Sequence, residues 1–129
     1  MAKGQPVVAI VDDDRNVRES VRALLAAFAF KTEVYASGEE FIVAAPKSKA
    51  VCLVVDVKLG DITGIELARH LIAMGFKRPT VFVSGCKDSL SRHQAVEMGC
   101  VAFIEKPFSA HQLVEAVVTA TGSNPYFEK

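Results

Sequence analysis

The residues of this sequence that could do chemistry together each lie at the end of an apolar run: Asp12, Asp13, Asp56, Ser84 and Lys106. Carboxylates held close together repel one another, and each favours its protonated form unless a cation neutralises the group. A ligand set of oxygen atoms, without histidine or cysteine, favours Mg²⁺ or Mn²⁺ over zinc. The metal and Lys106 would neutralise the oxygens of a phosphoryl group, and the Ser84 hydroxyl would donate a hydrogen bond to it. Asp56 could then be the nucleophile that forms an aspartyl phosphate.

Each carboxylate also has an ordinary structural interpretation. Taken alone, Asp56 would cap the turn that follows its apolar run. Acidic residues at positions 12–14 would favour the N-terminus of the helix expected after them, because of the helix dipole. One acidic residue meets that need, so a run of three leaves two unexplained. The chemical interpretation therefore depends on whether the fold brings the separate residues together.

Five short apolar runs predict five β-strands, at residues 6–11, 32–35, 51–56, 80–83 and 100–104. Four of them are almost continuously apolar, which is typical of strands buried on both faces of a sheet. The run at 32–35 has a polar side and is expected at an edge of the sheet.

Amphipathic segments alternate with these runs and predict five helices. Three of these helices begin with the sequence pattern of a capping box, at residues 37–40, 63–66 and 109–112. The fourth helix, opened by Asp88 or Ser89 and ending near Met98, is weakly apolar, which favours a mobile or partner-facing element. The positions expected to face the core are Val17, Val21, Leu24, Leu25 and Phe28 in the first helix, Leu67, Ala68, Leu71 and Ile72 in the third, and Leu113, Val114, Val117 and Val118 in the fifth.

Alternation of strand and helix, five times over, indicates an α/β fold with a parallel sheet, helices on both faces and right-handed crossovers. Ligands of such sheets bind beyond the carboxyl ends of the strands. The polar residues that end four of the five strands would meet at that edge, which makes Asp56 a candidate site residue and not merely a turn residue.

Composition limits the class of protein. At 129 residues, with 50% hydrophobic and 23% charged residues, the chain is expected to form one globular domain. Its net charge of zero does not favour binding to nucleic acid or to a membrane surface. No apolar run is long enough to span a bilayer, and the first residues lack the apolar segment of a signal peptide. Cys52, Cys86 and Cys100 show no metal-like spacing and fit reduced thiols in a cytoplasmic protein.

Taken together, the motifs resemble the receiver domain of two-component response regulators. They are Ile10-Val11-Asp12-Asp13, the strand-end Asp56, Ser84-Gly85 and the segment from Phe103 to Phe108. The resemblance runs from about Val7 to Thr121, and residues 37–41 and 103–108 are most similar to the branch that includes nitrogen-fixation regulators. It implies a flavodoxin-like fold with strand order 2-1-3-4-5, a receiver domain at residues 1–121, and a tail or the start of a linker at 122–129.

The resemblance also implies roles for the site residues. Asp56 would accept phosphate from a sensor histidine kinase, and Lys106 would contact the phosphoryl group. Mg²⁺ would be bound by Asp13, Asp56 and the backbone carbonyl of Lys58, with Asp12 acting through water. The bond between Lys106 and the proline that follows it would be cis.

A conformational switch is implied as well. Ser84 would move toward the phosphate while Phe103 turns inward, although an ordinary core phenylalanine explains Phe103 equally well. These movements would change the face formed by the fourth helix, fifth strand and fifth helix, which would contact an output domain or a second copy of the chain. The domain itself would bind neither nucleic acid nor membrane.

One segment departs from the family pattern. Receivers commonly have Met-Pro shortly after the phosphorylated aspartate, whereas this chain has Leu59-Gly60. Glycine frees the backbone that proline would stiffen, which affects the expected geometry of the Lys58 carbonyl. The Lys58 side chain is expected to point into water.

Two other classes of protein fit the sequence less well than the receiver. A Mg²⁺-dependent aspartyl-phosphate hydrolase usually has a second aspartate two residues after the nucleophile, where this chain has Lys58, and it has a cap domain. A flavin-binding protein of similar strand order would have small or hydroxylated residues after the first strand, where this chain is acidic. The sequence therefore favours a phosphoacceptor with at most slow self-dephosphorylation, and not an enzyme.

Overall fold

The computed structural model describes residues 5–85 and 89–122. Strands and helices alternate along the chain, as the sequence predicts. They are β1 Val7–Val11, α1 Arg15–Ala27, β2 Lys31–Tyr35, α2 Gly38–Ala44, β3 Cys52–Asp56, α3 Gly64–Ala73, β4 Thr80–Ser84, α4 Ser89–Glu97, β5 Ala102–Glu105 and α5 Ala110–Thr121. A 3₁₀ turn at Ala45–Lys47 follows α2 and contains Pro46, a residue that cannot continue an α-helix without loss of a backbone hydrogen bond.

The five strands form a parallel sheet in the order β2-β1-β3-β4-β5, which confirms the predicted topology. All five residues of β3 and of β4 are buried. The residues of β2, by contrast, are half-buried or exposed, so the polar strand lies at an edge as expected. The register places Asp56 opposite Val83 and Ser84 opposite Glu105, so the ends of β3, β4 and β5 lie side by side.

Alternate residues of β3 point into two apolar cores on opposite faces of the sheet. Leu53 and Val55 pack in the core that includes residues of α2, α3 and α4, whereas Cys52 and Val54 pack in the core that includes residues of α1 and α5. Burying one aliphatic side chain of this kind contributes about 2 kcal/mol. The strand that carries Asp56 is therefore fixed from both sides.

The helix starts follow the capping signals, with one difference. Capping boxes open α3 and α5 as predicted. At α2, Ser37 Oγ accepts a hydrogen bond from the N–H of Glu40, but the Glu40 carboxylate accepts one from the N–H of Ala36 and not from Ser37. Only half of the expected box is formed there, since the carboxylate reaches one residue further back.

The helix faces depart from the prediction at one position. Most of the expected core positions are buried or half-buried, but Ile72 is 42% exposed. It lies one residue, or about 100° of helix rotation, beyond the buried Leu71, in the last turn of α3. The weakly apolar α4 is poorly buried, with Leu90 and Val96 exposed and Ala95 buried.

The fifth strand begins two residues later than predicted, at Ala102. Cys52 and Cys100 are free thiols, as expected, whereas Cys86 and the predicted cap Asp88 lie outside the described residues. No helix within the described ranges combines the length and the apolar character that crossing a bilayer requires.

Candidate functional site

The carboxyl edge of the sheet gathers most of the residues that the sequence singled out. Asp12 directly follows β1, Asp56 is the last residue of β3, Ser84 is the last residue of β4, and Lys106 directly follows β5. The hydrophobic strands bury the chain up to these positions, and the polar side chains begin where the strands leave the core. The expected convergence is therefore present.

Three carboxylates form the centre of the site. Asp12, Asp13 and Asp56 each place one oxygen within 4.8 Å of the oxygens of the other two. Asp12 and Asp56 are buried, with 3% and 7% exposure, whereas Asp13 faces solvent. A hard divalent cation such as Mg²⁺ prefers an all-oxygen set that is open on one side, because it keeps several of its waters. The donor set therefore fits the expected metal.

Lys106 supplies the positive charge of the site. Its Nζ lies 3.4 Å from Asp12 Oδ2 and 3.6 Å from Asp56 Oδ2. The Lys106-Pro107 peptide bond is cis, as the resemblance implied. A cation between two buried carboxylates partly offsets their repulsion and is placed to contact any anionic group bound by Asp56.

The electrostatics of Asp56 reflect this arrangement. Burial, followed by the charge of the Asp12 carboxylate, raises the pKa of Asp56 to about 6. Lys106 and the N–H of Lys58 act in the opposite direction. Ionisation of Asp56 is therefore unfavourable in the metal-free protein, and a bound cation would make it more favourable.

Hydrogen bonds fix the backbone after β1 so that Asp12 and Asp13 remain available. Asp14 is the N-cap of α1, and its side chain accepts hydrogen bonds from the N–H groups of Asn16 and Val17. One of the three consecutive aspartates therefore caps the helix, which leaves the other two for the site. Arg18, a residue that the sequence did not single out, donates a hydrogen bond to the Asp12 carbonyl at 2.8 Å.

The loop between β3 and α3 includes Lys58, whose side chain is exposed, as expected. Its N–H donates to Asp56 Oδ1 at 3.3 Å. Leu59 is buried, and Gly60 has a φ of +90°, a value that proline cannot adopt. The departure from the common Met-Pro pair is therefore accompanied by a backbone shape that requires glycine.

Ser84 and Phe103, the two expected switch residues, differ in their surroundings. Ser84 is buried at the end of β4, the strand next to that of Asp56. Phe103 is half-buried in β5 and packs against the core that includes residues of α2, α3 and α4. The guanidinium of Arg92 lies 4.9 Å from the centre of its ring, and the same arginine is 3.3 Å from Glu105. Phe103 is thereby linked to α4.

Comparison with known proteins decides which family carries this site. The profile of the response regulator receiver domain matches residues 8–118. The chain belongs to this family. The predicted resemblance and fold are therefore confirmed, and the receiver is a regulatory module of two-component signalling, a class whose members interact with histidine kinases and output domains.

Relatives of the receiver include transcriptional regulators. The chain is 34% identical over 114 residues to the transcriptional regulatory protein FixJ of Rhizobium meliloti, covering 88% of this chain and 56% of FixJ. It is 32% identical over 117 residues to the transcriptional regulatory protein TdiR of Thauera aromatica, covering 91% of this chain and 52% of TdiR. The chain thus spans about half the length of these relatives. The crystal structure of FixJ-N superposes with a TM-score of 0.84 at 33% identity, covering 95% of this chain and 96% of that one.

Two contacts of the site could not have been read from the sequence. The Asp61 carboxylate, in the loop after β3, accepts hydrogen bonds from the N–H groups of Gly38 and Glu39. Arg92 pairs with Glu105 across 13 residues of sequence. Neither pair has a local spacing signal, because the partners meet only once the sheet has formed.

Proposed function

We propose that this receiver accepts a phosphoryl group on Asp56 from the phosphohistidine of a sensor kinase, in a Mg²⁺-dependent reaction. The observation that carries the proposal is the clustering of Asp12, Asp13 and Asp56 with Lys106 Nζ within 3.6 Å of two of the carboxylates. This combination of a buried nucleophile, further carboxylates and a lysine offers both charge neutralisation and positioning, which are the main requirements of phosphoryl transfer.

The metal would be held by Asp13, Asp56 and the Lys58 carbonyl, with Asp12 contributing through water. When bound, Mg²⁺ supplies charge neutralisation for the transferring phosphoryl oxygens. The exposed position of Asp13 supports this assignment, because it leaves the site open for the metal's remaining waters. Mn²⁺, which has a similar preference for oxygen ligands, is expected to substitute.

The residues of the chain would divide the transfer step between them. An Asp56 carboxylate oxygen attacks the phosphorus of the phosphohistidine, a new P–O bond forms, and the P–N bond breaks with the imidazole as leaving group. Lys106 neutralises developing charge on the phosphoryl oxygens, and the Ser84 hydroxyl donates a hydrogen bond to one of them. The product is an aspartyl phosphate, and slow hydrolysis would restore Asp56.

Labelling with acetyl phosphate and Mg²⁺, followed by intact-mass analysis, tests this assignment. The wild type should gain one phosphoryl group, and Asp56→Asn should gain none. Asp14→Asn is the matched control, because asparagine also caps helices and Asp14 lies outside the carboxylate cluster. Lys106→Met should be labelled about 100-fold more slowly, since it lacks the charge that stabilises the transition state.

Two results would contradict the proposal. One is equal labelling of the wild type and Asp56→Asn, and the other is a wild-type rate that does not change when Mg²⁺ is removed with a chelator. Rapid turnover of general phosphoesters would instead favour a hydrolase.

The output of the receiver would be read from the face formed by α4, β5 and α5. Leu90 and Val96 on α4 are 65% and 63% exposed, and two apolar side chains on one exposed helix suit contact with a partner. Phosphorylation would draw Ser84 toward the phosphate and Phe103 inward, altering this face for an output domain or a second copy of the chain. The similarity to transcriptional regulators supports a receiver at residues 1–121, with 122–129 as a tail or the start of a linker.

A further inference from the structure

Asp61 attaches the loop that follows Asp56 to a distant part of the chain. One carboxylate oxygen accepts a hydrogen bond from the N–H of Gly38 at 3.2 Å, and the other accepts one from the N–H of Glu39 at 2.9 Å. These donors precede Asp61 by 23 and 22 residues and lie in the first turn of α2. The N–H of Glu39 makes the largest contribution to lowering the pKa of Asp61, so the carboxylate is charged at neutral pH. The two hydrogen bonds thus fasten the loop to α2.

The segment that Asp61 fastens borders the carboxylate cluster at two points. The N–H of Lys58 contacts Asp56 Oδ1, as described above. A Cβ built on Gly60, the residue next to Asp61, would lie 3.5 Å from Asp13 Oδ2, so the Gly60 backbone packs beside that carboxylate. A displacement of this segment would therefore change the surroundings of both the Asp13 and the Asp56 carboxylates.

Within the same segment, Lys58 forms an isolated antiparallel β-bridge with Thr63, but few side chains are buried. Lys58, Gly60 and Asp61 are exposed, and only Leu59 among the residues from 58 to 61 is buried. Gly60, at a φ of +90°, has more backbone freedom than any other residue type would have there. Hydrogen bonds made outside a ligand set orient the metal ligands, so those of Asp61 can add to the contacts that fix this segment.

We propose that Asp61 is a positioning residue for the metal site, which holds residues 58–60 in the conformation in which the Lys58 carbonyl and Asp13 bind Mg²⁺. This inference rests on the proposed function, since it assigns to Asp61 the support of the same metal. Asp61 does not belong to the carboxylate cluster and would act through the loop alone. The first turn of α2 thereby becomes part of what sets the metal affinity.

The test is the Mg²⁺ dissociation constant, measured by NMR titration of the full chain with the backbone amide signals as reporters. The protein contains no tryptophan, so intrinsic fluorescence is a poor alternative. Asp61→Ala should bind Mg²⁺ about tenfold more weakly, the usual size of the loss when a group that supports metal ligands is removed. Asp61→Asn should also bind Mg²⁺ more weakly than the wild type, because its amide oxygen can replace only one of the two carboxylate acceptors and its NH₂ group would face the other N–H.

Ser37→Ala is the matched structural control. The substitution removes the hydrogen bond that Ser37 Oγ accepts from the N–H of Glu40, in the same first turn of α2. That hydrogen bond does not connect α2 to the loop after β3. Both Asp61→Ala and Ser37→Ala should lower the thermal midpoint, and only Asp61→Ala should weaken Mg²⁺ binding.

The other possible results of the Mg²⁺ titrations each contradict a specific claim. Unchanged Mg²⁺ affinity in Asp61→Ala would overturn the positioning role while leaving the phosphoacceptor assignment intact. An equal loss in Ser37→Ala would show a general effect of α2 stability and would also overturn the positioning role. A wild type that binds no Mg²⁺ would overturn the proposed function together with this inference.

Discussion

Asp56 combines two properties that conflict in the metal-free receiver: it is buried, and it stands beside other carboxylates. Its pKa is raised from 3.8 to about 6, first by burial and then by Asp12. Between these two pH values the folded chain holds a proton at Asp56 that the unfolded chain releases. The contribution of Asp56 to the free energy of unfolding therefore falls as pH rises from about 4 to about 6, and it stays at its lowest value above that range.

Removing the charge of Asp56 should therefore stabilise the metal-free protein at alkaline pH. We expect Asp56→Asn to raise the free energy of unfolding at pH 8 by about 1–3 kcal/mol, since a pKa difference of this size corresponds to about 3 kcal/mol at most. The gain should shrink toward zero at pH 4, where Asp56 is protonated in the folded protein. Urea unfolding in the presence of a chelator, followed by circular dichroism, measures both values.

Asp14→Asn serves as the control for the loss of one negative charge from the same region. It lies outside the carboxylate cluster, so it should not reproduce the pH-dependent gain. If Asp56→Asn were no more stable than the wild type at pH 8, the repulsion assigned to this cluster would be wrong.

At the scale of elements, the position of Asp56 depends on how closely α3 follows β3. The first residue of α3, Gly64, donates its N–H to the Val57 carbonyl at 2.7 Å. A Cβ at position 64 would lie 2.4 Å from the Asp56 carbonyl oxygen, which is backbone and has little room to yield. Strand and helix are therefore packed so tightly behind the site that only glycine fits between them.

Gly64→Ala should displace the end of β3 or the start of α3. We expect a loss of about 1–3 kcal/mol in the free energy of unfolding, as is usual when atoms are forced into a packed region, together with slower labelling of Asp56. Gly85→Ala is the matched control, because a Cβ there would meet Lys106 Cδ at an ordinary 3.9 Å. Equal stability of Gly64→Ala and the wild type would show that the close approach to Asp56 is not a constraint.

For the molecule as a whole, the fold could be predicted because its determinants are local. Continuous apolar runs, amphipathic segments and polar residues at strand ends are all visible in the sequence, and a parallel α/β sheet collects the strand ends at one edge. Asp12, Asp56 and Lys106 were found in this way, with contacts that agree with the expectation.

What the sequence could not indicate were contacts between distant segments. Asp61 finds its partners more than 20 residues away, and Arg18 contacts the Asp12 backbone, which carries no sequence signal. The exposure of Ile72 was mispredicted for a related reason, since the end of a helical stripe depends on which neighbours cover the last turn. Local patterns identify the chemistry of the site, whereas tertiary packing determines what holds it in place.

Reductive trapping can show directly whether Asp56 carries the phosphoryl group. The receiver is phosphorylated with a small phosphodonor and Mg²⁺, and borohydride then reduces the acyl phosphate to homoserine, which peptide mass spectrometry can locate. We expect homoserine at position 56 and unmodified aspartate at positions 12 and 13. Homoserine at position 12 or 13, or none in a phosphorylated sample, would contradict this expectation.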